Sequence, residues 1–274
     1  MPELPEVETI VRTLRLVLTG RTILSADLLW SHTLAVPSPA VFKRQIRGQQ
    51  IASITRRAKF LDLQLSTHHL LYHLRMSGDL LVVLGGCPVS KHDRLILQLS
   101  EDASLIFSDP RKFGRVWLVR DTTDIFGDLG PEPLSDTFTG LWLFNALQSH
   151  HRQLKPLLLD QTFLAGLGNI YTDEALHLAK LHPLSLSDSI SRKQADLLRE
   201  AIREVLEEGI RQNGASIDWV YRGGDFQNHF RVYGRDGQAC PVCGTKIERI
   251  TIGQRGTHFC PHCQVRAKVK NPVK

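Results

Sequence analysis

No stretch of the 274 residues approaches the roughly 20 consecutive apolar positions that a bilayer-spanning helix needs. The N-terminus also lacks a basic patch followed by an apolar run, the pattern a secretory signal requires. Cysteine is scarce. There are five, one of them isolated at Cys87, too few and too unevenly placed for a disulfide framework. Cys87 reads as a small buried hydrophobe. No internal repeat or low-complexity tract occurs. These absences argue against a membrane-spanning or disulfide-stapled secreted protein and lead to the expectation of a cytosolic one.

What is present is globular: 42% hydrophobic and 23% charged residues, in a chain long enough for two domains or two plus a small module. The net charge of +6 is uneven. From Arg231 to Lys274, nine Lys or Arg face only Asp236 and Glu248, which is +7 and leaves about -1 for the rest. Cationic charge concentrated on a small module favours a polyanion, and nucleic acid is the commonest.

The stretch EVETIVRTLRLVL sets Val7, Ile10, Val11, Leu14 and Leu18 at helical spacing, so a helix directly follows the terminus. From about Thr22 to Arg120 short alternating segments replace it, clearest in KFLDLQLS, with turn residues Glu101 and Asp102 between two of them. This predicts an antiparallel sandwich or barrel. DLGPEPLSD, residues 128–136, has two prolines and no periodicity and reads as a linker. Helical segments follow: LWLFNALQSH, LKPLLLDQTFL, YTDEALHLAKL with Thr172 or Asp173 at its start, and SRKQADLLREAIREVLEEGIRQNG with Ser191 and Gln194 in capping-box spacing. The fold class is therefore α+β: residues 1–127 a helix plus β-sandwich, 137–230 helical, and 231–274 a small basic module.

In that module Cys240, Cys243, Cys260 and Cys263 form C-x2-C-x16-C-x2-C. Two such knuckles can close one tetrahedral thiolate shell, which points to one structural zinc in a ribbon with no open position for catalysis. The intervening hairpin would project Arg255.

MPELPEVE at the start admits two readings. Pro2 and Pro5 suit a helix start, and the following carboxylates suit the positive end of its dipole. Alternatively, removal of Met1 turns the Pro2 nitrogen into a secondary amine, which can attack a carbonyl carbon and form a permanently cationic iminium. The residues alone leave both open.

Taken in order, MPELPEVE, RRAKF (56–60), HLRMSG (73–78), DPRKFG (109–114), LGPEPL (129–134), GLGNIYTDEAL (166–176) and the four-cysteine module with QRGTHFC resemble the formamidopyrimidine-DNA glycosylase family, whose sibling is endonuclease VIII. PELPEVE is similar to the formamidopyrimidine branch. The resemblance implies a monomeric bifunctional glycosylase and lyase that removes oxidised purines from damaged double-stranded DNA, with a helix-two-turns-helix domain over 137–230. It implies that Pro2 attacks C1′ of the damaged nucleotide, that Glu3 protonates the sugar ring oxygen, and that Glu6 shapes the site. Met76, Arg111 and Phe113 would fill the hole left by the extruded base. Lys59, Asn169 and Arg255 would hold phosphates, with His73 and Lys155 as further candidates. The rivals are a non-catalytic zinc-ribbon DNA-binding protein, an endonuclease VIII-like enzyme acting on oxidised pyrimidines, and an enzyme using an N-terminal proline as a base on small carbonyl compounds.

Against the family pattern, the interval from Gly214 to Arg235 is short, with Gly223 and Gly224 as its hinges. The 8-oxoguanine enzymes of the family commonly carry a longer glycine-rich loop there. Selectivity for 8-oxoguanine should therefore suffer first, with Trp219, Tyr221 and Phe226 replacing part of the lid by stacking.

Overall fold

A computed structural model describes residues 1–86, 89–216 and 223–266. Cys87, Trp219 and Tyr221 lie outside the described residues. The chain separates into two compact units, Met1–Asp128 with Asn213–Gly224, and Leu129–Gln212 with Asp225–Lys274.

The first unit opens with α1 (Leu4–Leu18), entered through Glu3 as N-cap and Pro5 in the first turn. Val7, Val11, Leu14 and Leu18 are buried, as their spacing requires. After it come β1 (Ile23–Leu28), β2 (Leu34–Val36), α2 (Pro39–Ile46), β3 (Ile51–Arg57), β4 (Phe60–Leu65), β5 (His69–His73), β6 (Asp79–Leu84), β7 (Asp93–Leu99), β8 (Ala103–Ser108), β9 (Arg115–Val119) and the short α3 (Thr123–Phe126). One sheet runs β1-β7-β8-β6 and the other β2-β9-β5-β4-β3. Side chains of both sheets and of α1 share a single buried cluster. All ladders are antiparallel except β2–β9, which is parallel. Between β7 and β8, where Leu99 pairs with Ala103, Glu101 and Asp102 both take positive φ, 58° and 50°, the left-handed conformation that closes this tight hairpin connection. The strand-like reading of residues 22–120 passes over α2, whose signals are Ser38-Pro39 at the helix start and the i,i+4 pair Phe42 and Ile46, both buried.

The second unit holds α4 (Gly140–Gln148), α5 (Leu154–Leu159), α6 (Asn169–Leu178) and α7 (Arg192–Arg211), followed by the hairpin β10 (Glu248–Ile252) and β11 (Arg255–Phe259). Helix α7 has the expected capping box of Ser191 and Gln194. Helix α6 begins earlier than its sequence suggests. Its N-cap is Gly168, so Thr172 and Asp173 lie inside the helix, and both are buried. Gly209 of α7 faces Tyr171 so closely that a Cβ there would lie 2.5 Å from the ring. Tyr171 stacks in turn on Phe226, with ring centroids 5.0 Å apart and planes 4° from parallel. Phe226 is buried, so the stacking role over a flipped base expected of it gives way to a place in this core.

Candidate active site and metal centre

Pro2, Glu3 and Glu6 are all buried. The Glu6 carboxylate is a bracket at the start of α1: Oε2 accepts from the Glu3 amide at 2.7 Å and Oε1 from the Ala215 amide at 2.8 Å. Gly214 makes that approach possible. A Cβ there would sit 2.8 Å from Glu6 Cγ, and its φ of +81° is one that other residues rarely adopt. Two residues further along, Glu8 pairs with Arg56 at 3.2 Å, and Arg56 Nη1 donates to the Ala58 carbonyl at 3.0 Å. This ties α1 to the tip of the β3–β4 hairpin, where Ala58 at φ 52° precedes the buried Lys59. The helix that follows Pro2 and the turn that precedes Lys59 are thus joined through Glu8 and Arg56.

His73, at the end of β5, packs edge-on against Phe60, and its Nδ1 accepts from the Arg75 amide at 3.1 Å. Burial, and then the charges of Arg75 and Lys59, push its pKa down to about 3. The ring is neutral at ordinary pH and carries its hydrogen on Nε2.

HLRMSG and DPRKFG are knitted by a group that sequence reading did not single out. Asp109 is fully buried, and its carboxylate accepts from the Ser77 hydroxyl, from the Arg111 amide at 3.2 Å and from the Gly114 amide at 2.7 Å. The Arg111 amide also reaches Ser77 Oγ at 3.2 Å, which sets it beside Met76. A Cβ at Gly114 would lie 2.4 Å from the Phe107 ring, so only glycine closes this loop on its floor. The result is an apolar display on a rigid base. Met76 is 38% and Phe113 50% exposed, and the Arg111 guanidinium sits 5.2 Å from the Phe113 ring centroid. The sequence signal for Asp109 is an acid immediately before a Pro-x-x-x-Gly turn.

In the second unit Asn169 opens α6, and its Nδ2 donates to the Gly256 carbonyl at 3.0 Å. Lys155 is not at the surface. It has no exposure, its Nζ lies 2.6 Å from Asp173 Oδ1, and it also donates to the Gly256 carbonyl at 3.0 Å. Asp173 Oδ2 accepts from the His258 amide at 2.9 Å. The neighbouring Glu174 accepts from the amides of Arg231, Val232 and Tyr233 at 2.8–3.0 Å. Burial raises the pKa of Glu174 although those three donors oppose the shift. Two consecutive acids of α6 therefore hold the backbone on either side of the ribbon, and Lys155 joins Asn169 on the one carbonyl next to Arg255. Arg255 is exposed at the start of β11, beyond a turn in which Gly253 and Gln254 take φ of 53° and 61°.

The Sγ atoms of Cys240, Cys243, Cys260 and Cys263 all lie within 4.8 Å of one another. The Cys243–Cys263, Cys243–Cys260 and Cys240–Cys263 separations are 3.4, 3.5 and 3.9 Å. Four thiolates about 2.3 Å from a tetrahedral zinc stand about 3.8 Å apart, so the cluster fits one zinc ion. No helix among the described residues is long and apolar enough to cross a membrane.

Comparison with known proteins matches this organisation in three consecutive pieces. Residues 1–116 match the formamidopyrimidine-DNA glycosylase N-terminal domain, 129–220 the H2TH domain of the same enzymes, and 237–265 the zinc finger found in FPG and IleRS. The formamidopyrimidine-DNA glycosylase of Chloroflexus aurantiacus is 46% identical, covering 97% of this chain and 98% of the relative. That of Protochlamydia amoebophila is 43% identical, covering 96% and 99%. Among solved structures, MutM in complex with DNA containing carbocyclic 8-oxo-G is 37% identical and superimposes with a TM-score of 0.91, covering 97% of this chain and all of that one. A complex of Lactococcus lactis Fpg with DNA containing an abasic site has the same score and coverage at 36% identity. The chain belongs to the formamidopyrimidine-DNA glycosylase family.

Proposed function

We propose that the chain excises oxidised purines from duplex DNA as a base-excision-repair glycosylase and then cuts the strand, acting as a monomer in the bacterial cytosol on sandwich (1–127), helical (137–230) and zinc-ribbon (231–274) modules. The family match along the whole chain carries the glycosylase activity. What supports the lyase step is Pro2 followed at once by the buried Glu3. Once Met1 is removed, the Pro2 amine attacks C1′, the glycosidic bond breaks and the base leaves with a proton. Glu3 protonates O4′ as the ring opens, leaving an iminium. That cation acidifies C2′–H, so loss of this proton expels the 3′ phosphate. A second elimination expels the 5′ phosphate, and water then releases Pro2. Glu6, fixed between the Glu3 and Ala215 amides, acts as a positioning residue.

Met76, Arg111 and Phe113 would occupy the vacated stack. Lys59, Asn169 and Arg255 would take phosphates, and His73 would offer a neutral N–H. Lys155 would serve through the Gly256 carbonyl it shares with Asn169. A phosphate-bound arginine carries a counterion signature. Arg255→Ala should flatten the slope of log K against log salt by about 0.9 and weaken binding to every duplex alike. The zinc should stay in place. His73→Gln, which removes no charge, should leave the slope unchanged; an unaltered slope in Arg255→Ala would remove that residue from the phosphate contacts.

The short interval after α7 supports a lesion order. Formamidopyrimidines and hydantoins are distorted and poorly stacked, so they cost less to extrude and depend less on a lid than 8-oxoguanine does. Single-turnover excision opposite cytosine should run faster on formamidopyrimidine or hydantoin than on 8-oxoguanine, with undamaged duplex untouched. Equal or faster release of 8-oxoguanine would refute the loop argument alone, whereas no excision of any of the three would refute the proposed activity.

A further inference from the structure

Helix α6 sends a side chain to the metal centre that is not one of its ligands. His177 Nε2 lies 3.4 Å from Cys240 Sγ, and both residues are buried. A zinc tetrathiolate carries a formal charge of -2, and a metal-bound thiolate can only accept hydrogen bonds. Within the ribbon the knuckles supply donors of their own, from the Val242 amide to Cys240 at 3.5 Å, from the Cys263 amide to Cys260 at 3.4 Å with His262 beside it, and from Thr245 to Cys243. His177 adds a donor from outside the ribbon. Its other ring nitrogen, Nδ1, is buried with no hydrogen-bonding partner among the described residues. Were the hydrogen on Nδ1, a donor would be stranded and the Nε2 lone pair would face a thiolate. With the hydrogen on Nε2, the sulfur gains a charge-assisted bond, no donor is stranded, and only the Nδ1 lone pair is left bare.

We propose that His177 is an outer-sphere positioning residue of the zinc site: its Nε2–H donates to the Cys240 thiolate, disperses the charge of the tetrathiolate, and couples metal retention to the helix that begins at Asn169. The inference rests on the zinc assignment, which metal analysis of the wild-type protein tests separately. Hydrogen bonds from beyond the ligand shell typically change metal affinity by about 10- to 100-fold. The same bond stabilises the sulfur lone pair, so removing it should lower the energy of sulfur-to-metal charge transfer.

The test uses the full chain as wild type, His177→Leu and His177→Gln. Competition with a chromophoric chelator should show zinc affinity about tenfold or more weaker in His177→Leu and partly restored in His177→Gln, whose amide can still donate. After cobalt substitution the charge-transfer band should move to longer wavelength in His177→Leu. The ring-nitrogen NMR spectrum of the wild-type zinc protein gives the tautomer without any substitution, so the test does not depend on either variant folding. Hydrogen on Nδ1, or wild-type zinc affinity and an unshifted band in His177→Leu, would overturn the proposal. Zinc-free wild-type protein would instead overturn the zinc assignment.

Discussion

Cys260→Ser is expected to cost the protein its zinc and, with it, at least about 100-fold in affinity for lesion-containing duplex. Cys260 is fully buried, and its sulfur stands 3.5 Å from that of Cys243. A serine hydroxyl is a poor zinc ligand and would leave three thiolates with an open edge. Without the metal, little holds the knuckles to each other, because the ribbon's own apolar cluster consists of Val232, Ile247 and ligand cysteines. The β10–β11 turn that presents Arg255 then loses its base, and the Gly256 carbonyl that Asn169 and Lys155 share moves with it. Two charge-assisted contacts at about 1.5–3 kcal/mol each account for the stated loss. The helices should survive, since α4, α6 and α7 bury their own apolar faces. Metal content, far-UV circular dichroism and duplex titration together check this. Full DNA affinity in a zinc-free variant would show that the ribbon is not needed for binding.

Pro2→Gly should reduce excision on the order of 1000-fold, about 4 kcal/mol of barrier, with duplex affinity nearly unchanged. Glycine also offers an amine at the terminus, but a primary one, whose adduct can lose its proton and become a neutral imine. The electron sink that drives both base loss and elimination is thereby weakened. Glycine also frees the backbone that sets Glu3 in place. A residue retained ahead of Pro2 should be at least as damaging, because the nitrogen is then an amide. Single-turnover rates at saturating enzyme separate this from binding; a Pro2→Gly rate within a few-fold of wild type would show that a secondary amine is not required, and the same rate with a residue retained ahead of Pro2 would exclude Pro2 as the nucleophile.

The parts of this protein legible in its sequence are those whose physics is local. Helix α1, the capping box of α7, the Glu101–Asp102 turn and the paired cysteine knuckles all follow from spacings of a few residues. What sequence reading missed depends on partners far along the chain. Asp173 and Glu174 look like the acidic first turn of a solvent-exposed helix, yet both are buried because Lys155, His258 and the 231–233 backbone reach them. The same network removes Lys155 from the surface where a free lysine would be expected. Asp109 is similar: its role depends on Ser77, 32 residues away. Phe226 reads as a lid aromatic in a glycine-hinged interval, and its place in the core follows from stacking on Tyr171 of α6 and edge-on packing with Phe230. For Pro2, spacing alone could not separate helix entry from chemistry; the fold shows the helix entry, with the terminus as the anchored start of α1, and the chemistry is the part proposed above.

The central claim, that one covalent intermediate on the N-terminal proline links base removal to strand cleavage, is tested most directly by borohydride reduction during reaction with formamidopyrimidine-containing duplex. The expected result is a stable protein–DNA adduct that maps to Pro2 by peptide mass analysis and falls sharply in Pro2→Gly. An adduct undiminished in that variant, or one mapping to an internal lysine such as Lys59, would contradict it.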